Sequence, residues 1–236
     1  YMSFGPAGSE PLDTIFEYSR RGEYGVEFKR QFVAPAGADG VAHPFTLVKR
    51  YNFLPGTYMF ELIVTIENSV NQFPNLDFNG VAYTIGYGPQ IGPTFETLGG
   101  RGEYRYYYTY SDGKRNLNRM RGTELEITER FEWSGIAGKY FALLAVPLGP
   151  YGLTFSQPAI DEIPTSSFME LSRPAIKSST VEDRFLIYAG PKTKARLTTF
   201  NDAAEKPFQV SNLNLDAAVD TSRLLALLQV VLVEGL

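Results

Sequence analysis

Residues 131–147, Phe-Glu-Trp-Ser-Gly-Ile-Ala-Gly-Lys-Tyr-Phe-Ala-Leu-Leu-Ala-Val-Pro, constrain the fold of this chain more than any other stretch. An alternating run leads into them. Leu125, Ile127, Phe131 and Trp133 share one parity, and Glu124, Glu126, Thr128, Arg130 and Glu132 share the other. That period of two predicts a strand with one buried face. Ser134-Gly135 and Gly138 supply turn residues. A second strand is predicted beyond them, with Tyr140, Ala142, Leu144 and Val146 on one face and Phe141, Leu143 and Ala145 on the other. Both faces are apolar, so this strand is expected in the middle of a core. Trp133, Tyr140 and Phe141 are accordingly assigned to the structural core. Packing alone accounts for the stretch physically.

The chain has 236 residues, enough for one large all-β domain or two small ones. Aromatic residues make up 14% of it, and such residues suit pleated, half-buried surfaces. Its 22 glycines and 15 prolines predict many turns. A formal net charge of -4 argues against a general nucleic-acid binder, which is normally basic. The absence of cysteine removes disulfides, zinc-thiolate sites and thiol nucleophiles together. His43 is the single histidine, so a multi-histidine metal site is not expected. It ends a loop, 34–44, that contains Pro35, Gly37, Gly40 and Pro44, and only Asp39 is near it in sequence. A surface histidine fits that setting better than a catalytic one, which needs an oriented partner. No signal peptide and no complete membrane span are present. The abrupt apolar start and end predict an excised domain whose neighbouring segments have been removed.

Along the chain, 24–33 alternates, with Val26, Phe28 and Phe32 on one side. The stretches 45–51 and 57–67 form the clearest hairpin, joined through 52–56, with Tyr58, Phe60, Leu62, Val64 and Ile66 on one face. Alternation stops over 68–79 and resumes over 81–87. Gly99-Gly100-Arg101-Gly102 lacks the ending of a phosphate loop and is read as a turn. Tyr104, Tyr106, Tyr108 and Tyr110 then line one face of a strand, with Tyr107 opposite. Such a ladder stacks on sugars or bases, or it covers a sheet, and the second reading is favoured because cross-strand aromatic pairs are common. Lys114, Arg115, Arg119 and Arg121 make a basic loop, by default a solvated hairpin end; weak contact with anionic headgroups is the sharper option. Further strands are expected at 167–172 and 183–189. After Gly190-Pro191 the composition turns helical over 192–200, with proline suited to the first helical position. A second helix is expected over 217–233, capped by Asn214 or Asp216. The whole reads as one domain: an antiparallel β body over 1–190 and a C-terminal helical segment over 191–236.

Four stretches in order carry a resemblance. Trp133, Lys139-Tyr140-Phe141 and Pro147 form one pattern. Lys49-Arg50-Tyr51-Asn52-Phe53 with Gly56, Tyr58 and Asn68 form a second. Phe185-Leu186-Ile187-Tyr188-Ala189-Gly190-Pro191-Lys192 and Leu215-Asp216-Ala217-Ala218-Val219-Asp220 complete the set. Together they resemble the large periplasmic domain of bacterial insertases of the YidC/Oxa/Alb family. Thr221-Ser222 stands where that family commonly has an aromatic residue and glycine. The resemblance implies a mainly β fold, an antiparallel β-supersandwich of the mutarotase kind, with C-terminal α-helices. It implies a non-enzymatic module on the periplasmic side of the bacterial inner membrane, without cofactor, metal or small-molecule substrate. The complete protein would insert and fold inner-membrane proteins. Implied partners are nascent membrane proteins, the Sec translocon with its accessory subunits, and the membrane surface. The family's functional groove lies in the membrane part, so no catalytic or groove residue carries over to this chain.

The rival is a carbohydrate-binding or aldose-mutarotase-like supersandwich. That chemistry needs a general acid and a general base flanking the sugar, and one histidine in a Pro/Gly loop fits it poorly. A sugar or peptide cleft lined by Tyr104, Tyr106 and Tyr108 is the remaining form of this rival. At the other end, 224–233 has Gln229 as its only polar residue. Ten residues are too few to cross a bilayer, which takes about 20. Leu224, Leu227, Leu228 and Val231 are expected to cover either protein or lipid. The membrane-facing assignment is the favoured one.

Overall fold

Period-two patterning runs through most of the chain, and the strands follow it. The computed structural model describes residues 1–34, 40–68, 76–92, 105–160, 163–164, 166–202 and 207–220. In chain order the strands are β1 (Met2–Phe4), β2 (Glu17–Arg20), β3 (Gly25–Val33), β4 (Pro44–Leu54), β5 (Met59–Asn68), β6 (Leu76–Tyr87), β7 (Tyr106–Ser111) and β8 (Lys114–Asn118). They continue as β9 (Glu124–Ile127), β10 (Trp133–Ala137), β11 (Phe141–Pro147), β12 (Gly152–Ser156), β13 (Ala159–Ile160), β14 (Ile163–Pro164), β15 (Phe168–Ile176) and β16 (Thr180–Pro191). A five-stranded sheet has the order β1-β6-β15-β12-β9, and a nine-stranded sheet the order β2-β3-β4-β5-β16-β11-β10-β7-β8. β13 and β14 make a separate hairpin. The pairings are antiparallel. The fold is an antiparallel β-supersandwich.

Its main core lies between the two sheets. Phe45, Leu47, Leu62, Val64, Ile66, Phe185 and Ile187 come from the larger sheet, and Tyr83, Ile85, Leu153, Phe155 and Leu171 from the smaller. The β4–β5 hairpin pairs in register from Phe45↔Asn68 to Leu54↔Met59. This places Leu62, Val64 and Ile66 inward, as alternation requires.

Several expectations change. The run 124–133 is not one strand. β9 belongs to the five-stranded sheet and β10 to the nine-stranded sheet, so the chain crosses between them after Ile127. Apolar parity is kept because each half of the run has its own apolar face to bury. Ser134 and Gly135 lie inside β10, and the turn occupies 138–140. Glycine is required at 135, since a Cβ there would run into the Leu144 side chain and come within 2.9 Å of the Leu143 carbonyl oxygen.

Tyr140 and Phe141 are not core residues: they are 61% and 38% exposed. Tyr140 belongs to the turn and Phe141 opens β11, so both project at the sheet's end, where no layer covers them.

The helical C-terminal end is slight. Helix α1 spans Lys194–Thr198, and 3-10 turns follow at Thr199–Asn201, Pro207–Gln209 and Leu215–Ala218. No α-helix starts at Ala217: Val219 closes the turn in extended conformation. The tight turn suits a segment pressed flat on a sheet, because residues three apart align and both Leu215 and Ala218 are buried. Residues 221–233 lie outside the described residues.

Candidate interaction surface

The outer face of the nine-stranded sheet is apolar along β16, β11, β10 and β7. Leu186 and Tyr188, Ala142, Leu144 and Val146, Trp133, and Tyr108 and Tyr110 share that side. Leu197, Phe200, Leu213, Leu215 and Ala218 lie over it. Trp133 is 0% exposed. Its ring stacks on Tyr110 at 5.2 Å between centroids, 5° from parallel. Among the described residues its indole N–H has no hydrogen-bond partner, and its burial and stacking make it a packing residue. Tyr188 meets Phe200 edge to face at 5.7 Å. Tyr108 and Tyr110 are thus closed beneath the C-terminal segment and present no ladder for a sugar. Tyr104 lies outside the described residues.

Asp220 ties this cover to the sheet. Its Oδ1 accepts hydrogen bonds from the Tyr108 hydroxyl at 3.0 Å and from Arg115 Nη1 at 2.9 Å. Its Oδ2 accepts one from Lys192 Nζ at 2.9 Å. Arg115 also donates to the Ala218 carbonyl at 3.2 Å, and its guanidinium lies 4.4 Å from the Tyr108 ring centre. Burial pulls the Lys192 ammonium below the ordinary lysine pKa, and Asp220 opposes that shift. Arg115 is therefore no solvated loop cation. It belongs to a clasp that holds Ala218 and Asp220 to the sheet, and nothing in the local sequence of these four residues announced it.

Across β3, β4 and β5 the same outer face carries charge. Glu27 accepts from Arg21 at 2.6 Å and from Arg50 at 2.9 Å. The Arg21 hydrogen bond, helped by Arg50, holds the Glu27 carboxyl below the usual carboxylate range against the pull of desolvation. Glu61 is bound by Arg184 and by Asn52 Nδ2, the latter at 2.8 Å.

Three turns lie along one end of this sheet, at 21–24, 55–58 and 138–140. Tyr24, Phe53, Tyr58 and Tyr140 are exposed there, beside Phe141. Lys139 Nζ lies 5.0 Å from the Tyr140 ring centre. Arg196 sits 5.3 Å from that of Tyr58 and donates to the Gly56 carbonyl at 3.1 Å. Amphipathic rings among cations suit a protein partner or a headgroup layer. The sequence hid this end because it assigned Tyr140 and Phe141 to the core.

No catalytic arrangement accompanies these surfaces among the described residues. His43 is half-buried before β4, and its carbonyl accepts the Ala34 N–H at 2.8 Å. Asp39 lies outside the described residues, as do 99–102 and Leu224, Leu227, Leu228 and Val231. Among the described residues no cluster of three or more His, Cys, Asp or Glu could hold a metal ion. Asp183 accepts from the Tyr83 hydroxyl at 2.6 Å and from Arg173 Nε at 3.0 Å. Burial first, and Asp183 next, push the Tyr83 phenol well above its ordinary pKa. Tyr83 is fully buried, so this is a clamp between the sheets with no substrate access. No helix among the described residues is long and apolar enough to cross a membrane.

Residues 28–232 match the family described as the YidC periplasmic domain. The membrane protein insertase YidC of Treponema denticola is 30% identical over 240 residues, which cover 98% of this chain and 41% of that protein. The membrane protein insertase YidC of Treponema pallidum is 28% identical over 248 residues, covering 92% of this chain and 39% of that protein. The chain thus spans about two fifths of the length of these relatives. Among solved structures, a galactose mutarotase related enzyme from Lactobacillus acidophilus aligns with a TM-score of 0.49 at 10% identity, over 75% of this chain and 71% of that one. A galactose mutarotase-like protein from Lactobacillus casei aligns with a TM-score of 0.45 at 11% identity, over 75% and 72% of the two chains.

Proposed function

The chain belongs to the YidC periplasmic domain family, and from that premise we propose that it is the large periplasmic domain of a bacterial membrane protein insertase. The observation that carries this reading is the match over 28–232, together with two relatives named as insertases that cover 98% and 92% of the chain. The domain works by binding and carries no catalytic step. Its place is the periplasmic side of the inner membrane. Residues 1–190 form its sandwich body, and 191–236 form the segment that packs on the sandwich and leads toward the membrane. Leu224, Leu227, Leu228 and Val231 face lipid or the adjoining part of the protein. The complete protein inserts and folds nascent inner-membrane proteins, alone or with the Sec translocon and its accessory subunits. The exposed aromatic and cationic end of the nine-stranded sheet supports a surface role, because its groups suit a partner or headgroups and have no layer above them.

The test is replacement. Cells depleted of their own insertase and given the full-length protein that carries this stretch should regain insertion of a reporter membrane protein, read by protease protection. Failure to restore insertion overturns the reading. A parallel measurement addresses the sugar alternative: the optical rotation of fresh α-glucose should relax at the uncatalysed rate in the presence of the domain. An acceleration abolished by His43→Ala would establish sugar chemistry instead.

A further inference from the structure

β4 directs Phe45, Leu47, Lys49 and Tyr51 to one face, because alternate residues of a strand share a side. That side is the inner one: Phe45 and Leu47 are buried in the core between the sheets. Lys49 puts a charge into an otherwise apolar series. The register agrees, since Lys49 stands opposite Val64, a fully buried core residue, on β5 and opposite Phe28 on β3. Its Nζ lies 3.8 Å from the centre of the Phe16 ring. Among the described residues it has no carboxylate partner and no hydrogen bond, and the Tyr51 hydroxyl two positions on has none either.

Both groups line a cavity of about 360 Å³, walled by Leu12, Thr14, Phe16 and Phe28. A smaller adjoining cavity of about 120 Å³ shares Leu12, Lys49 and Tyr51 and reaches Leu62 and Ile85. The first is an open trough whose volume falls within the range of small-molecule sites, with Leu12, Phe16 and Phe28 as its apolar side and Thr14, Lys49 and Tyr51 as its polar side. Burial pulls the Lys49 ammonium below the ordinary lysine pKa and raises the Tyr51 phenol. An ammonium drawn out of water costs free energy unless an anion meets it. The Phe16 face offsets part of that cost. An anion would offset more and would complete the hydrogen bonding of the Tyr51 hydroxyl.

We propose that this cleft binds the carboxylate end of an apolar chain, with the carboxylate on Lys49 and Tyr51 and the tail along Leu12, Phe16 and Phe28. A cationic ligand would meet the Lys49 charge, and an uncharged one would leave it unpaired. The ligand chemistry is shared by fatty acids and by the free C-terminus of an apolar peptide. This inference does not depend on the insertase reading.

Titration calorimetry on the whole chain tests it. Octanoate should bind at least about tenfold more tightly than 1-octanol, the scale of one charge-assisted hydrogen bond. N-acetyl-leucyl-leucine should show the same preference over its amide if peptide ends are the source, and the tighter carboxylate identifies the source. Lys49→Met should bring octanoate and octanol within about twofold, and Lys49→Arg should keep the preference. Acetate, which lacks a tail, should bind far more weakly. Octanol binding as tightly as octanoate in the unaltered protein overturns the proposal without any variant. So does a carboxylate preference that survives Lys49→Met, and so does acetate matching octanoate, which would leave a simple anion site.

Discussion

The outer face of the nine-stranded sheet is two surfaces on one backbone. Across β3, β4 and β5 it carries Glu27, Arg50, Asn52 and Glu61, each bound to a side chain on a neighbouring strand or turn. Across β16, β11, β10 and β7 it carries Leu186, Tyr188, Leu144, Trp133 and Tyr108 beneath the C-terminal segment. The ladders are of the same kind in both halves. The charged half completes itself, because cross-strand partners satisfy its carboxylates while water reaches the rest. The apolar half is incomplete until another layer lies on it. A short helix and three 3-10 turns with little regular structure of their own are therefore as much a part of the core as any strand. Each large apolar side chain buried there contributes about 1.5–3 kcal/mol.

The largest expected effect lies in the apolar half. Trp133→Ala should lower the unfolding free energy by about 3–5 kcal/mol, measured by urea denaturation. An unchanged midpoint would mean that this half does not depend on packing, and the contrast would collapse. Next comes the cover itself: Leu215→Ala should cost about 2–5 kcal/mol, as for a leucine inside a core. A loss below about 1 kcal/mol would show that the segment only rests on the sheet.

In the charged half the effect should be smaller and dependent on pH. The folded state holds the Glu27 pKa below its ordinary 4.5. The contribution is therefore fully present above about pH 4.5 and is lost as pH falls through the lowered folded value. Glu27→Gln should flatten the acid limb of stability there and reduce stability at neutral pH by less than either substitution above. An acid limb of unchanged steepness would mean that Glu27 gains nothing from Arg21 and Arg50.

The smallest effect belongs to the rim. Tyr140→Ala should change stability by no more than about 0.5 kcal/mol, since Tyr140 projects from a turn. A loss above about 2 kcal/mol would return Tyr140 to the core and move the boundary of the covered half.

Much of this layout was legible in the residues. The β4–β5 hairpin was written in its alternation, and the doubly apolar run from Ala142 to Val146 correctly indicated a strand with a layer on each side. Those layers differ in kind, however, and the run has no feature that distinguishes a second sheet from a short helix and turns. Nor does an alternating run say where it changes sheets, as the chain does between Ile127 and Trp133. Tyr140 kept the right parity for burial and still emerged at the surface, because exposure at a strand end depends on how far the cover extends.

By itself the sequence determined the long strands such as β3, β4, β5 and β11 with their apolar faces, and the order of patterns that resembles the insertase domain; its patterning pointed to a loop at β8 (Lys114–Asn118) and to a turn at Ser134-Gly135. Strand patterns are properties of neighbouring residues: a pleated strand alternates its faces wherever it lies. Tertiary structure alone decided which sheet each strand joins, that the C-terminal segment closes the back of the larger sheet, and that Lys49 faces a cavity while Lys192 meets Asp220. Asp220 finds its partners 28, 105 and 112 residues earlier in the chain. No local periodicity encodes contacts at such separations. They form because the packed sheets have already met the entropic cost of bringing distant segments together.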